Sequence, residues 1–163
     1  MKIQVLDRGK KKKFLRELEE FGMKWVPELL VRSGKERIRA FSGDLSREEI
    51  MEIWRLFPIE GVGLYVGKDM MNRNGIHEVR LSVDGMHIWK EQLTDGIFVL
   101  TEEQEVDWFA GKDVALGDVD IKNGFVLVKS ADEKDFVGFG KIGNDGKTLF
   151  GYLPKERRRK ERL

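Results

Sequence analysis

The sequence predicts an α+β fold: an N-terminal α+β domain over residues 1–92, then a small β-barrel over residues 93–163 that ends in a basic tail. Three observations predict it. In the first half, apolar residues at helical spacing alternate with strand-like runs. From Gly96 onward the chain becomes a series of short apolar runs, GIFVL, GFVLV, DFVGFGKI and KTLFGYLP, separated by Gly and Asp turns. The end of the chain, PKERRRKERL, is a dense cluster of cations.

The elements follow in order. Phe14, Leu15, Leu18 and Phe21 recur at helical spacing over Lys11 to Phe21, with Gly22 placed as a C-cap. Residues 36–42, ERIRAFS, alternate as a strand does. Ser46 and Glu49 form a capping box, and Ile50, Ile53, Trp54 and Phe57 follow on one helical face that ends before Pro58. GVGLYVG and HEVRLSVDG read as two strands joined by the polar loop KDMMNRNG. Met86 to Gln92 reads as a short helical connector. In the second half, Ile97 to Leu100 is a strand. Thr101 and Gln104 form a second capping box that opens a short helix through Val106, Trp108 and Phe109, closed by Gly111. Phe125–Val128, Phe136–Ile142 and Thr148–Leu153 are three further strands. Asn123-Gly124 and Asp145-Gly146 are turn dipeptides, the second placed as in a hairpin.

Composition narrows the class. Of 163 residues, 40% are hydrophobic and 36% charged, enough for a core in a highly charged protein. High Lys, Arg and Glu without Cys is also a pattern of thermophile proteins. The absence of Cys excludes disulfides, thiolate metal sites and cysteine nucleophiles. No apolar run approaches the roughly 20 residues that span a bilayer. The start, MKIQVLDRGKKKK, lacks the apolar segment of a secretory signal. A soluble, cytoplasmic protein without a membrane partner is the expectation.

The net charge of +1 hides an asymmetry. Residues 1–13 carry six cations and one acid, and residues 155–163 carry six cations and two acids, so the 141 residues between them sum to −8. Basic ends on an acidic body suit nucleic-acid contact. The N-terminal lysines fit either that role or solubility. The C-terminal arginines fit phosphate contact, since a guanidinium fork matches phosphate geometry.

Signals for catalysis are missing. Gly61, Gly63 and Gly67 have the wrong spacing and context for a dinucleotide fingerprint and read as packing and turn glycines. There is no P-loop. His77 and His87 stand ten residues apart without cysteines, so no metal site is expected. Glu17, Glu19, Glu20, Glu102, Glu103 and Glu105 fall on exposed helix faces, away from any pocket that would tune a general acid. Trp25, Trp54, Trp89 and Trp108 read as core or interface anchors. Tyr152, beside Pro154 and the arginines, is either a stacking partner for an unpaired base or an edge-strand cap.

Three segments carry a resemblance: W-F-A-G-K-D-V (Trp108 to Val114), G-F-V-L-V-K-S (Gly124 to Ser130) and V-G-F-G-K (Val137 to Lys141). Together they resemble a PUA domain, the small pseudo-barrel of many RNA-modifying enzymes. Two PUA types are similar. In one, found in ribosome-biogenesis factors, an α+β pre-PUA domain precedes the PUA domain; V-G-K (Val66 to Lys68) followed by H-E-V-R-L (His77 to Leu81) resembles its first half. The other is the C-terminal PUA-like domain of the Nop/Sun ribosomal RNA 5-methylcytosine methyltransferases, whose ending is similar to Tyr152 through Arg158 here. The resemblance covers about half of the chain, and residues 34–60 lie outside it.

The resemblance implies a pre-PUA-like domain followed by a PUA-type pseudo-β-barrel. It implies an RNA-binding accessory protein acting on ribosomal or pre-ribosomal RNA, with transfer RNA as a further candidate, in ribosome biogenesis or RNA modification. An RNA methyltransferase or an assembly factor would be its protein partner. No cofactor and no catalysis by this chain are expected, because it lacks the methyltransferase cysteine and the Gly-rich loop for S-adenosylmethionine. Lys155, Arg157, Arg158, Arg159 and Lys160 would contact phosphates. Lys112 and Lys141 would face the RNA groove, Gly111 and Gly140 would admit the RNA backbone, and Tyr152 would stack. Two other readings stay open. One is a protein-docking adaptor that recruits an RNA-modifying enzyme or assembly factor through its acidic body, with little RNA contact. The other is a small enzyme with an unsignalled site.

Overall fold

The computed structural model describes residues 2–117 and 121–160. The chain divides into two compact units, one running to Leu93 and the other starting at Thr94.

The first unit holds β1 (Ile3–Val5), α1 (Arg8–Arg16), β2 (Leu29–Ser33), β3 (Arg37–Phe41), α2 (Arg47–Leu56), β4 (Leu64–Met71), β5 (His77–Leu81) and α3 (Val83–Ile88). Its five strands form one antiparallel sheet in sequential order, β1 to β5. Asp7 caps α1 by accepting a hydrogen bond from the Lys10 amide at 2.8 Å. The expected helix over Lys11 to Phe21 is two pieces: α1 stops at Arg16, and a 3-10 turn covers Glu19–Phe21 before Gly22, whose φ is 98°. Phe14, Leu18 and Phe21 are buried all the same. Their spacing suits an α-helix and a helix followed by a 3-10 turn alike, so periodicity does not separate the two.

The capping box at Ser46 and Glu49 is formed as expected. It starts α2, which buries Ile50 against Ile3, Val5 and Val31, with Met51 and Trp54 packed around them. Phe57 leaves the helical face and is exposed, because its backbone is already extended ahead of Pro58. Strand β4 runs on to Met71, so the polar loop before β5 is only residues 72–76. Asn72 closes that loop by accepting from the Asn74 and Ile76 amides at 2.8 and 3.0 Å. Gly63, with φ of 94°, and Gly67 sit against backbone carbonyls of Ala40 and Arg80, as packing glycines do.

The second unit holds β6 (Ile97–Val99), α4 (Glu102–Phe109), β7 (Val114–Ala115), β8 (Gly124–Lys129), β9 (Phe136–Ile142) and β10 (Thr148–Gly151). Its sheet has the order β6-β8-β9-β10-β7, with β6 parallel to β8 and every other pair antiparallel. The sheet curls into a half-barrel with β6 and β7 as its edges. The Thr101–Gln104 capping box is formed. Asp145-Gly146 sits in the β9–β10 hairpin, with Gly146 at φ of 68°. Among the described residues, no helix is long and apolar enough to cross a membrane.

Candidate nucleic-acid interface

The end of α4 is closed by a Schellman motif. The Gly111 amide donates to the Trp108 carbonyl at 3.0 Å, and the Lys112 amide to the Asp107 carbonyl at 2.9 Å. Gly111 takes the left-handed conformation this requires, with φ of 76°. The C-terminal segment then folds back onto the same helix end. After a 3-10 turn over Lys155–Arg157, the Arg158 Nε donates to the Leu153 carbonyl at 3.1 Å. The Arg159 amide donates to the Phe109 carbonyl at 2.7 Å, and the Arg159 guanidinium lies 4.5 Å from the centre of the Phe109 ring. Three carbonyls of the last turn are thereby satisfied, and a set of cations gathers at the negative end of the helix dipole.

Gly111 is a close-approach glycine, and the approaching group is a protein side chain. A Cβ there would lie 2.6 Å from Cδ and Nε of Arg158. Gly111→Ala is expected to destabilise the protein by about 1–2 kcal/mol through left-handed backbone strain and to dislodge Arg158, read as a lowered urea midpoint. An unchanged midpoint would show that the helix end and the tail are not coupled in this way.

Gly140 has the same logic with a different partner. The Trp108 indole, 1% exposed, lies across β9 and β10. A Cβ on Gly138 would lie 2.6 Å from its Cζ2, one on Gly151 2.9 Å from its Cζ3, and one on Gly140 3.4 Å from its Cη2. The indole Nε1 donates to the Val137 carbonyl at 3.1 Å. Thus Trp108 and the glycines of V-G-F-G-K form one packing unit.

Strand alternation sends the neighbours of these glycines to the other face of the sheet. Lys141 lies between Phe125 of β8 and Phe150 of β10 in the strand register. Its Nζ is 5.2 Å from the centre of the Phe125 ring. Tyr152 donates its backbone amide to the Phe139 carbonyl at 3.1 Å, and its ring lies 6.3 Å from Phe139 and 6.4 Å from Phe125. Phe125 and Phe139 stack at 5.2 Å. Phe150, 42% exposed, flanks this cluster.

The ten candidate residues therefore separate. Gly111, Lys112, Lys155, Arg157, Arg158, Arg159 and Lys160 belong to the end of α4 and the segment folded onto it. Lys141 and Tyr152 share the opposite sheet face, and Gly140 lies inside the packing between the two. Phe125 and Phe150 complete the aromatic face. Their signal in the sequence was their place in alternating strands that flank a lysine strand, which needs the register to be read.

The first unit holds a polar cluster that sequence spacing did not signal. His77 Nε2 is 2.6 Å from Asp69 Oδ1, and His77 Nδ1 is 3.3 Å from Glu17 Oε1. Arg32 forms an ion pair with Asp69 at 3.3 Å. With both ring nitrogens of His77 engaged, the cluster ties β2, β4, β5 and the end of α1 together. Among the described residues, no group of three or more His, Cys, Asp or Glu could hold a metal ion. No family model matches this sequence, and no curated protein matches it.

Proposed function

We propose that the chain is an RNA-binding accessory protein of ribosome biogenesis or RNA modification, with a PUA-like second unit that holds ribosomal or pre-ribosomal RNA for a separate enzyme or assembly factor. The observation that supports this reading is the ordered docking of the C-terminal cations. Arg158 and Arg159 are spent on anchoring, through Leu153, Gly111 and Phe109. Anchoring brings Lys112, Lys155, Arg157 and Lys160, all exposed, to one helix end. Fixed cations bind a phosphate chain with less loss of side-chain and backbone freedom than a loose tail does.

The test is the salt dependence of binding to single-stranded pre-ribosomal RNA. Each neutralised phosphate contributes a log–log slope of about −0.7 on single strands. Changing Lys155, Arg157 and Lys160 together to Gln, with Arg158 and Arg159 kept so the segment stays docked, is expected to weaken binding and flatten the slope by about two. Binding and slope that stay as in the wild type would mean that the segment only caps α4.

A second reading, an adaptor for a basic protein partner, is favoured by an open groove of about 340 Å³ along α2, lined by Leu45, Ile53 and the carboxylates of Glu48, Glu49 and Glu52. Wild-type protein that binds no RNA but captures a basic assembly factor would support it.

A further inference from the structure

Trp25 is unlike the other three tryptophans. Trp89 and Trp108 are buried and Trp54 is partly covered, whereas Trp25 is 60% exposed. It is also held. The Gln92 side chain accepts from the Lys24 and Trp25 amides at 2.9 and 3.3 Å and donates to the Trp25 carbonyl at 2.9 Å. The far end of the same loop is tied to α1. Lys11 Nζ donates to the Glu28 carbonyl at 2.7 Å, the Trp89 indole donates to the Glu28 carboxylate at 3.2 Å, and Trp89 packs edge-on against Phe14 of α1 at 6.1 Å. An indole in water on a loop clamped at both ends is preorganised for contact, since little freedom remains to be lost on binding.

The helix tied to this loop is cationic. Lys11 is spent on Glu28, and burial pulls its amine below the ordinary lysine pKa. Arg8, Lys10, Lys12, Lys13 and Arg16 of α1 are exposed, and so is Lys24 beside the indole. The first turn of α1 contains no acid. Arg8 and Lys10 there oppose the helix dipole and weaken the helix, so their effect on local stability does not account for them. Residues 8–16 carry six cations and no acid, so the helix is a basic stretch, with the exposed acids Glu19 and Glu20 following it. An exposed aromatic ring joined to a cationic helix is a combination that stacks an unpaired base while neutralising neighbouring phosphates.

We propose that Trp25 and the exposed cations of α1 form a second contact for single-stranded RNA, in the first unit, where the indole stacks on one unpaired base and Lys10, Lys12, Lys13 and Lys24 meet the neighbouring phosphates. This rests on RNA binding by the chain and adds a contact that the C-terminal segment does not supply. It also gives the N-terminal lysine run a role in recognition.

The experiment uses the full chain and a fluorescein-labelled decamer of uridine, read by anisotropy, with tryptophan emission followed in parallel. The expected result is saturable binding that quenches tryptophan emission. Trp25→Ala should weaken it about 5- to 150-fold, the range for one stacked base, and Trp25→Phe should weaken it less while removing most of the quenching. Changing Lys12 and Lys13 to Gln should flatten the salt slope by about 1.4. Trp25 is exposed, so these variants should retain the wild-type circular dichroism and thermal midpoint. Binding by Trp25→Ala equal to wild type would overturn the proposal while leaving RNA binding by the second unit intact. Absence of RNA binding by the wild type would overturn both. Tighter binding of a decaglutamate peptide than of the uridine decamer, lost in Trp25→Ala, would assign the patch to an acidic protein instead.

Discussion

Trp108→Ala is expected to destabilise the second unit by about 3–5 kcal/mol, the range for emptying a core of a large aromatic side chain. The indole fills the space left by three glycines on two strands, Gly138, Gly140 and Gly151, and its N–H is satisfied by Val137. Removal leaves a cavity that glycines cannot refill and a carbonyl without its donor. Against a typical whole-domain stability of about 5–15 kcal/mol, that loss brings the unit close to unfolding. Urea unfolding followed by far-ultraviolet circular dichroism measures it, and hydrogen exchange over β8 to β10 locates it. A loss under about 1.5 kcal/mol, the ceiling for a tolerated core swap, would mean that α4 is held to the sheet by other contacts. Because Phe109 ends α4 and Gly111 closes it, the same variant should release Arg158 and Arg159 and, on the function proposed above, reduce RNA binding in step with stability.

Asp69→Ala is expected to cost about 2–3 kcal/mol in the first unit. Asp69 is 8% exposed and its carboxylate meets both Arg32 and His77, so its loss removes the acceptor of two part-buried groups. Removing one partner of a fully buried pair costs about 3–5 kcal/mol. Here the Arg32 and His77 side chains keep 20% and 28% of their surface in water, which relieves part of the penalty. Asp69→Asn keeps the shape and should cost less. Glu17→Ala is the control: its carboxylate is 38% exposed, so its bond to His77 should contribute at most about 1 kcal/mol. Equal losses for Asp69→Ala and Glu17→Ala would show that His77, and not Asp69, organises the cluster.

Local signals were legible in the sequence because the chemistry that makes them is local. The capping boxes at Ser46 and Thr101, the turns at Gly22 and Asp145-Gly146, and strands β3, β8 and β9 depend on residues within a few positions of one another. Strands β1 and β2 were not legible. Three residues, Ile3–Val5, are too few for an alternation, and LLVRS shows none; pairing between them and with β3 makes them strands. Helix α1 was placed too far along the chain, because the apolar residues that mark it lie toward its end and beyond, while its lysine-rich start is fixed by Asp7.

By itself, the sequence determined the α+β class, the position of most helices and turns, the concentration of cations at both ends and the lack of any cysteine chemistry. Only the tertiary structure decided what surrounds each candidate residue. Gly111 and Gly140 are open positions in the sequence and filled ones in the fold, the first by Arg158 and the second by Leu149, the Phe150 carbonyl and Trp108. Lys141 and Tyr152 are eleven residues apart and share a face because β9 and β10 pair in one register. Trp25 stands in water on a backbone that Gln92, 67 residues away, holds in place. The physical reason is the same in each case. Caps and turns are set by short-range hydrogen bonds and backbone sterics, whereas exposure and neighbourhood are set by packing between segments whose separation along the chain carries no local trace.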